Sequence, residues 1–337
     1  MIITSEQMKP LYPIRFRPIL KETIWGGNAL RERFRKKAAA GALIGESWEI
    51  SGMPDESSMV ANGYLKGNAL EEIAEVYMDE LLGESVYHRY GTEFPLLIKI
   101  IDANDRLSIQ VHPDDRLAEE RHHAWGKTEM WYVIDAKPGA VIYTGFRKKI
   151  TKEEYLDCLS GKRMEEIINA TPVRAGDAFF IPAGMVHAIG AGVLLAEIQQ
   201  TSDVTYRIFD WDRTDVSGKP REMHTALALD AINFSLDTSN LIRKEPELNK
   251  TVLLAESPYF HTSLITFDSP IIKDYSLTDS FIIYICTESM AIIECFGHSE
   301  ELRAGETILV PASADSVTII PRGRATLLEV FVPKRQK

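Results

Sequence analysis

The 337-residue sequence is poor in cysteine, in glycine and proline, and in long apolar runs, and each shortage excludes a class of protein. Its three cysteines, Cys158, Cys286 and Cys295, form no CxxC pair, and an odd count of three does not make a disulfide framework. Cys286 and Cys295 are spaced to face each other across a hairpin, but reduced, buried thiols are the expectation. Glycine (21) and proline (16) are too few for collagen-like or low-complexity sequence. No run approaches the roughly 18–20 apolar residues that would span a bilayer as a helix. The N-terminal stretch MIITSEQMKPLYPIRF lacks the basic-then-apolar order of a secretory signal. Basic residues are also outnumbered, 38 against 49 acidic, for a net charge of −11. That balance weighs against nucleic-acid partners, whose affinity comes from neutralising phosphates. With 45% hydrophobic residues the chain is not disordered. The expectation is a cytoplasmic globular protein of about two domains, with neither a nucleic-acid nor a membrane partner.

What is present is mostly short β-type segments with turn residues between them, the pattern of a sandwich or barrel. Strands are expected at Phe94–Ile101, Leu107–Val111, Glu129–Ile134, Ala178–Ile181 and Val193–Ile198, and in series from Phe260 onward. Three helical insertions interrupt them. One spans 68–83, with Asn68 as N-cap, Glu71 three residues on and Gly83 as stop; a second spans 151–169, with a Thr151/Glu154 capping box; a third spans about 222–234. The polar stretch Asp237–Asn249 suggests a boundary between a domain at 1–240 and a β domain at 250–337. The segment Arg174-Ala175-Gly176-Asp177 … Ile181-Pro182-Ala183 is echoed 129 residues later by Arg303-Ala304-Gly305-Glu306 … Val310-Pro311-Ala312. Five residues beyond each proline stand His187 and Ser316, so only the first copy keeps a metal-binding side chain.

In Ser108-Ile109-Gln110-Val111-His112, strand alternation places Ser108, Gln110 and His112 on one face and the apolar pair on the other. Polar groups in such a pattern require partners. Three segments bear on what those partners are. Gly176-x5-Pro182-x-Gly184-x2-His187 resembles the second metal-binding motif of cupin barrels, and Gln110/His112 resembles the first, with Gln in place of a histidine. Gly126-Lys127-Thr128-Glu129 places Lys127 and Glu129 on one strand face. Two imidazoles, a carboxylate and an amide oxygen suit a catalytic Zn²⁺ site; iron(II), manganese and nickel also suit that donor set. If Glu197–Arg207 is extended, Glu197, Gln199, Thr201, Asp203, Thr205 and Arg207 share one face, able to hydrogen-bond a polyhydroxylated anionic ligand.

Taken together, Phe94–His112, Gly126–Glu129, Phe180–His187 and Glu197–Arg207, with Trp25-Gly26-Gly27 and Gly45–Ser51, resemble the type I mannose-6-phosphate isomerases in their short bacterial form. The resemblance implies a mainly β fold of two cupin-like jelly-roll barrels, the C-terminal one lacking the metal histidine. It implies one Zn²⁺ per chain, held by His112, Glu129 and His187 with Gln110 as a fourth ligand. It also implies aldose–ketose isomerisation of a phosphosugar through an enediolate, with Arg207, Lys127 and Asp203 as catalytic candidates. Lys99, Ser108 and Arg207 are the substrate-binding candidates, and the expected assembly is a monomer or homodimer. Where longer members carry His-Lys-Pro-Glu, this chain has Gly126-Lys127-Thr128-Glu129, so no role of that histidine transfers. The alternatives are another metal-dependent cupin, either an oxygenase or a different phosphosugar isomerase, or a non-catalytic sugar-binding cupin.

Overall fold

The computed structural model describes residues 9–214, 218–235 and 240–334. Residues 1–8, used above to exclude a signal, and 237–239 of the expected boundary lie outside them. The chain forms two compact units, and both are discontinuous in sequence. One comprises Pro18–Glu56 and Pro95–Glu245; the other comprises the residues through Arg17, Ser57–Phe94 and those from Pro246 onward. No helix among the described residues is long and apolar enough to cross a membrane.

The first unit is built from two antiparallel sheets. Seven strands run in the order Leu241–Ile242, Ala178–Ile181, Glu129–Ala136, Val193–Gln200, Leu96–Ala103, Ile44–Ile50 and Ile19–Gly27. Five more run in the order Tyr206–Phe209, Ile109–Val111, His187–Ile189, Val141–Phe146 and Ile168–Pro172. Period-2 alternation sorts their side chains. Trp131, Val133, Leu195 and Ile101 of the larger sheet meet Ile142 and Ile189 of the smaller one in a shared core. The opposite face of the smaller sheet, with Ile109, Val111, Ala188, Tyr206 and Ile208, packs on Tyr155 and Cys158 of helix Lys152–Ser160 and Ala228 of helix Thr225–Ala231. The inner faces carry, besides the core, Gln110, Lys127 and Glu129, with His112 and His187 beside them.

The second unit repeats this plan. Its strands Thr307–Val310 and Ser316–Pro321 begin 129 residues after Ala178–Ile181 and His187–Ile189. Thr307–Val310 lies in a seven-stranded sheet and Ser316–Pro321 in a four-stranded one. Tyr284, Ile308 and Leu327 of the larger sheet pack against Ile293, Val317 and Ile319 of the smaller. The three cysteines are free and buried, and burial pushes the Cys286 and Cys295 thiols up to about 12.

Several local expectations change. The first helix is Leu70–Leu82, with Ala69 rather than Asn68 at its N-cap, and Glu72 rather than Glu71 accepts from the Ala69 N–H at 2.7 Å. It belongs to the second unit and not to the catalytic region expected at 1–240. Backbone N–H groups of Ala312 and Phe281 reach Leu81 and Leu82 carbonyls, and the Asp279 carboxylate accepts from Glu84 and Ser85 at the start of the next helix, Glu84–Tyr90. The Thr151/Glu154 capping box forms as expected, but the chain turns into a strand at Ile168. The third helix starts only at Thr225, because the His224 N–H donates to the Arg207 carbonyl.

Candidate metal centre and its cavity

Three residues distant in sequence converge at the inner face of the first unit. His112 follows strand Ile109–Val111, Glu129 opens strand Glu129–Ala136, and His187 opens strand His187–Ile189. His112 Nε2 lies 3.5 Å from Glu129 Oε2, and His187 Nε2 lies 3.4 Å from Glu129 Oε1. All three are buried, and one donor atom from each falls within 4.8 Å of the others. Each imidazole Nδ1 donates to a main-chain carbonyl, His112 to Val204 at 3.0 Å and His187 to Met185 at 2.8 Å. Those bonds fix the tautomer and turn both Nε2 lone pairs toward Glu129. Gln110 pairs with His187 in the sheet register, and its amide lies 3.3 Å from His187 Nε2; turned over, the same amide offers its oxygen.

The electrostatics fit a divalent cation. His112 Nε2 and both Glu129 oxygens are buried without hydrogen-bond partners. Burial drives both imidazoles toward the neutral, ligating form, His112 well below its ordinary range and His187 to about 4. Burial, reinforced by Glu197, raises the Glu129 carboxyl to about 8. Two neutral imidazoles beside a carboxylate whose charge is left under-compensated form an N/N/O donor set with no sulfur, the chemistry of a catalytic zinc or non-haem iron site.

Two loops hold this geometry. Gly184, at φ +86°, lets the chain turn back so that its N–H donates to the His112 carbonyl at 2.9 Å, tying the His187 turn to the other histidine. Gly126 is required by close approach: a Cβ there would fall 2.5 Å from the Asp115 nitrogen. That nitrogen opens helix Asp115–His122, capped by Asp114 and not foreseen from the sequence. A side chain larger than hydrogen at position 126 thus has no room without a shift of that backbone.

Beside the triad is a cavity of about 270 Å³ whose lining includes Gln110, Lys127, Lys99, Ser108, Asp203 and Arg207. Lys127 Nζ is 3.6 Å from Glu129 Oε2. Lys99 Nζ is held 3.2 Å from Glu197 and 3.6 Å from Glu46, whose carboxylates in turn accept from the Trp131 and Trp48 indoles. Burial works against the Lys99 charge, but Glu197 and Glu46 overcome it and hold the ammonium above its ordinary range. Arg207 faces Gln110 in the register, donates from Nη1 to the Glu222 carbonyl at 2.8 Å, and keeps a buried Nε without a partner.

The run Glu197–Arg207 is not one extended strand. It ends in the larger sheet at Gln200, turns where Gln199 Nε2 donates to the Gln200 and Ser202 carbonyls, and resumes in the smaller sheet at Tyr206. Glu197 and Arg207 therefore line the cavity from different sheets. Sequence reasoning passed over Glu46 and Trp48, although the alternation in Gly45–Ile50 marks them as face partners. It also passed over Arg221 and Asp210, which lie outside regular strands and carry no periodic signal.

A cupin-like barrel with a candidate mononuclear metal centre is the class this geometry defines. Residues 14–148 match the family model described as phosphomannose isomerase type I, catalytic domain. The mannose-6-phosphate isomerase of Streptococcus mutans is 40% identical over 250 residues, covering 74% of this chain and 77% of that one. YvyI of Bacillus subtilis is 35% identical over 322 residues, covering 94% of this chain and 98% of its own. The crystal structure of the mannose 6-phosphate isomerase from Bacillus subtilis matches with a TM-score of 0.84 at 33% identity, over 94% of this chain and 99% of that one. The chain belongs to the type I mannose-6-phosphate isomerase family.

Proposed function

We propose that this chain interconverts mannose 6-phosphate and fructose 6-phosphate, holding one zinc ion on His112, Glu129 and His187 with Gln110 as a further donor. The observation that carries the reading is the buried His/Glu/His cluster with Lys127 at 3.6 Å, beside a cavity that also holds Arg207. The reaction moves one proton between C1 and C2 of the open-chain sugar through an enediolate. Bound zinc supplies a Lewis acid for the negative charge that builds on the sugar oxygens. Lys127, at the cavity wall beside Glu129, carries the proton between the two carbons. Arg207, one strand from Gln110, directs its guanidinium at the developing charge. Lys99, held between two carboxylates, orients sugar hydroxyls with Ser108 and Asp203. Three buried free thiols suit a reducing compartment, which favours work in the cytoplasm.

The test is a coupled assay that follows fructose 6-phosphate formed from mannose 6-phosphate. Chelation is expected to abolish turnover and zinc to restore it. Full turnover by metal-free protein overturns the reading, and oxygen uptake in place of isomerisation favours an oxygenase.

A further inference from the structure

The cavity is not uniformly charged. Its lysines are matched, Lys99 by Glu197 and Glu46 and Lys127 by Glu129. At Arg207 the balance breaks. Among the described residues no carboxylate lies within salt-bridge distance of its guanidinium, and its Nε is buried without a partner. Burial and Arg221 act against its positive charge, more than Asp210 and Glu222 support it. Arg221 also lines the cavity, with its side chain 22% exposed. It is locked by a two-pronged pair with the buried Asp210, Nε to Oδ2 at 2.7 Å and Nη2 to Oδ1 at 2.5 Å. Arg213 Nη2 donates to the same Oδ1 at 2.6 Å. Two guanidiniums line one small cavity, the second held rigidly, and both keep donor capacity that an entering anion can take up.

Position separates the two. Gln110 and Lys127, which reach the metal cluster, line this cavity and not the neighbouring cleft of about 760 Å³, which Arg221 lines with Trp25 and Glu46. Arg221 therefore stands where cavity and cleft meet, and Arg207 beside Gln110.

We infer that Arg221, positioned by Asp210, binds the phosphate monoester of the substrate and sets the preference for phosphorylated over free sugar, while Arg207 serves the reacting carbons. This rests on the isomerase reading for the identity of the sugar, but not for the anion site. The planar fork of Arg221 engages Asp210 with Nε and Nη2, which leaves Nη1 for phosphate oxygens. Asp210 is a positioning residue and touches no substrate.

Two measurements on the metal-loaded full chain test this. In the isomerase assay, Arg221→Gln is expected to raise KM for mannose 6-phosphate about 10- to 100-fold, with kcat changed far less. Arg207→Gln is expected to show the reverse split. An unchanged KM in Arg221→Gln, or a loss confined to kcat, overturns the assignment. Calorimetric titration with inorganic phosphate reads the anion site without turnover, and Arg221→Gln is expected to weaken that binding about tenfold or more. Equal phosphate affinity in the two proteins, or none in the unsubstituted chain, overturns the assignment. Phosphate binding that depends on Arg221 in a chain that does not isomerise mannose 6-phosphate would sustain the anion site and reject the proposed function.

Discussion

His187 and Ser316 open equivalent strands 129 residues apart, yet one is buried against Glu129 and the other is exposed. The same comparison extends inward. Glu197 and Glu329 each stand fifth in their strands, Val193–Gln200 and Ala325–Phe331. Glu329 is satisfied by protein: Tyr275 donates to it and Lys273 Nζ lies 2.9 Å away, with Tyr284 bonded to Tyr275. The second barrel thus fills its interior with a closed tyrosine–glutamate–lysine network. The first leaves the Glu129 oxygens without a hydrogen bond, facing two imidazoles and Lys127 at 3.4–3.6 Å. Buried polar groups settle by pairing within the protein or by taking a cation.

From this contrast, Ser316→Ala is expected to leave metal content unchanged at one equivalent per chain, whereas His187→Ala loses it. Elemental analysis of the purified variants distinguishes the two, and a lost equivalent in Ser316→Ala would mean that the second barrel holds metal.

Arg207→Ala is expected to lower turnover by about 10²–10³-fold, the scale of removing one charge-stabilising donor from a transition state. Circular dichroism and metal content should stay as in the unsubstituted chain, since the side chain makes one hydrogen bond to the Glu222 carbonyl and no ion pair among the described residues. A near-normal rate would remove Arg207 from the reaction.

Gly126→Ala tests the account of the missing histidine. The added Cβ would meet the backbone at the start of helix Asp115–His122, so a loss of about 1–3 kcal/mol in stability is expected. Gly126→His should fare worse and should not improve turnover. A stable, faster Gly126→His would show that the loop yields.

The acid limb of stability should depend on Asp210. Burial alone would raise its carboxyl, but Arg221 and Arg213 overcome it and hold the carboxyl below the ordinary carboxylate range. A depressed folded-state pKa gives stability that is fully present above the unfolded value of about 3.9 and is lost as pH falls through the folded value. Asp210→Asn is expected to lower the thermal midpoint at pH 7 and to narrow its gap from the unsubstituted chain below about pH 4. A constant gap across that range would contradict the assignment.

Much of the site was legible because strand alternation is local. Ser108, Gln110 and His112 share a face through backbone geometry, and the glycine–proline–glycine spacing before His187 reflects a turn that only certain residues make. The 129-residue echo marked the duplicated barrel because turn chemistry recurs at both copies. Tertiary pairing was not legible. The helix Leu70–Leu82 joins the second unit through Leu81 and Leu82 carbonyls that meet strands far along the chain. The break after Gln200 depends on one glutamine side chain capturing two carbonyls. Asp210 and Arg221 are eleven residues apart, with no periodicity to link them.

The most direct test of the account is anomalous diffraction at the zinc edge from crystals of the full chain grown with zinc. The account predicts one strong peak per chain, between His112 Nε2, His187 Nε2 and the Glu129 carboxylate, and none in the barrel that carries Ser316. A peak elsewhere with those three side chains unliganded, or no peak in protein that turns over mannose 6-phosphate, would contradict it.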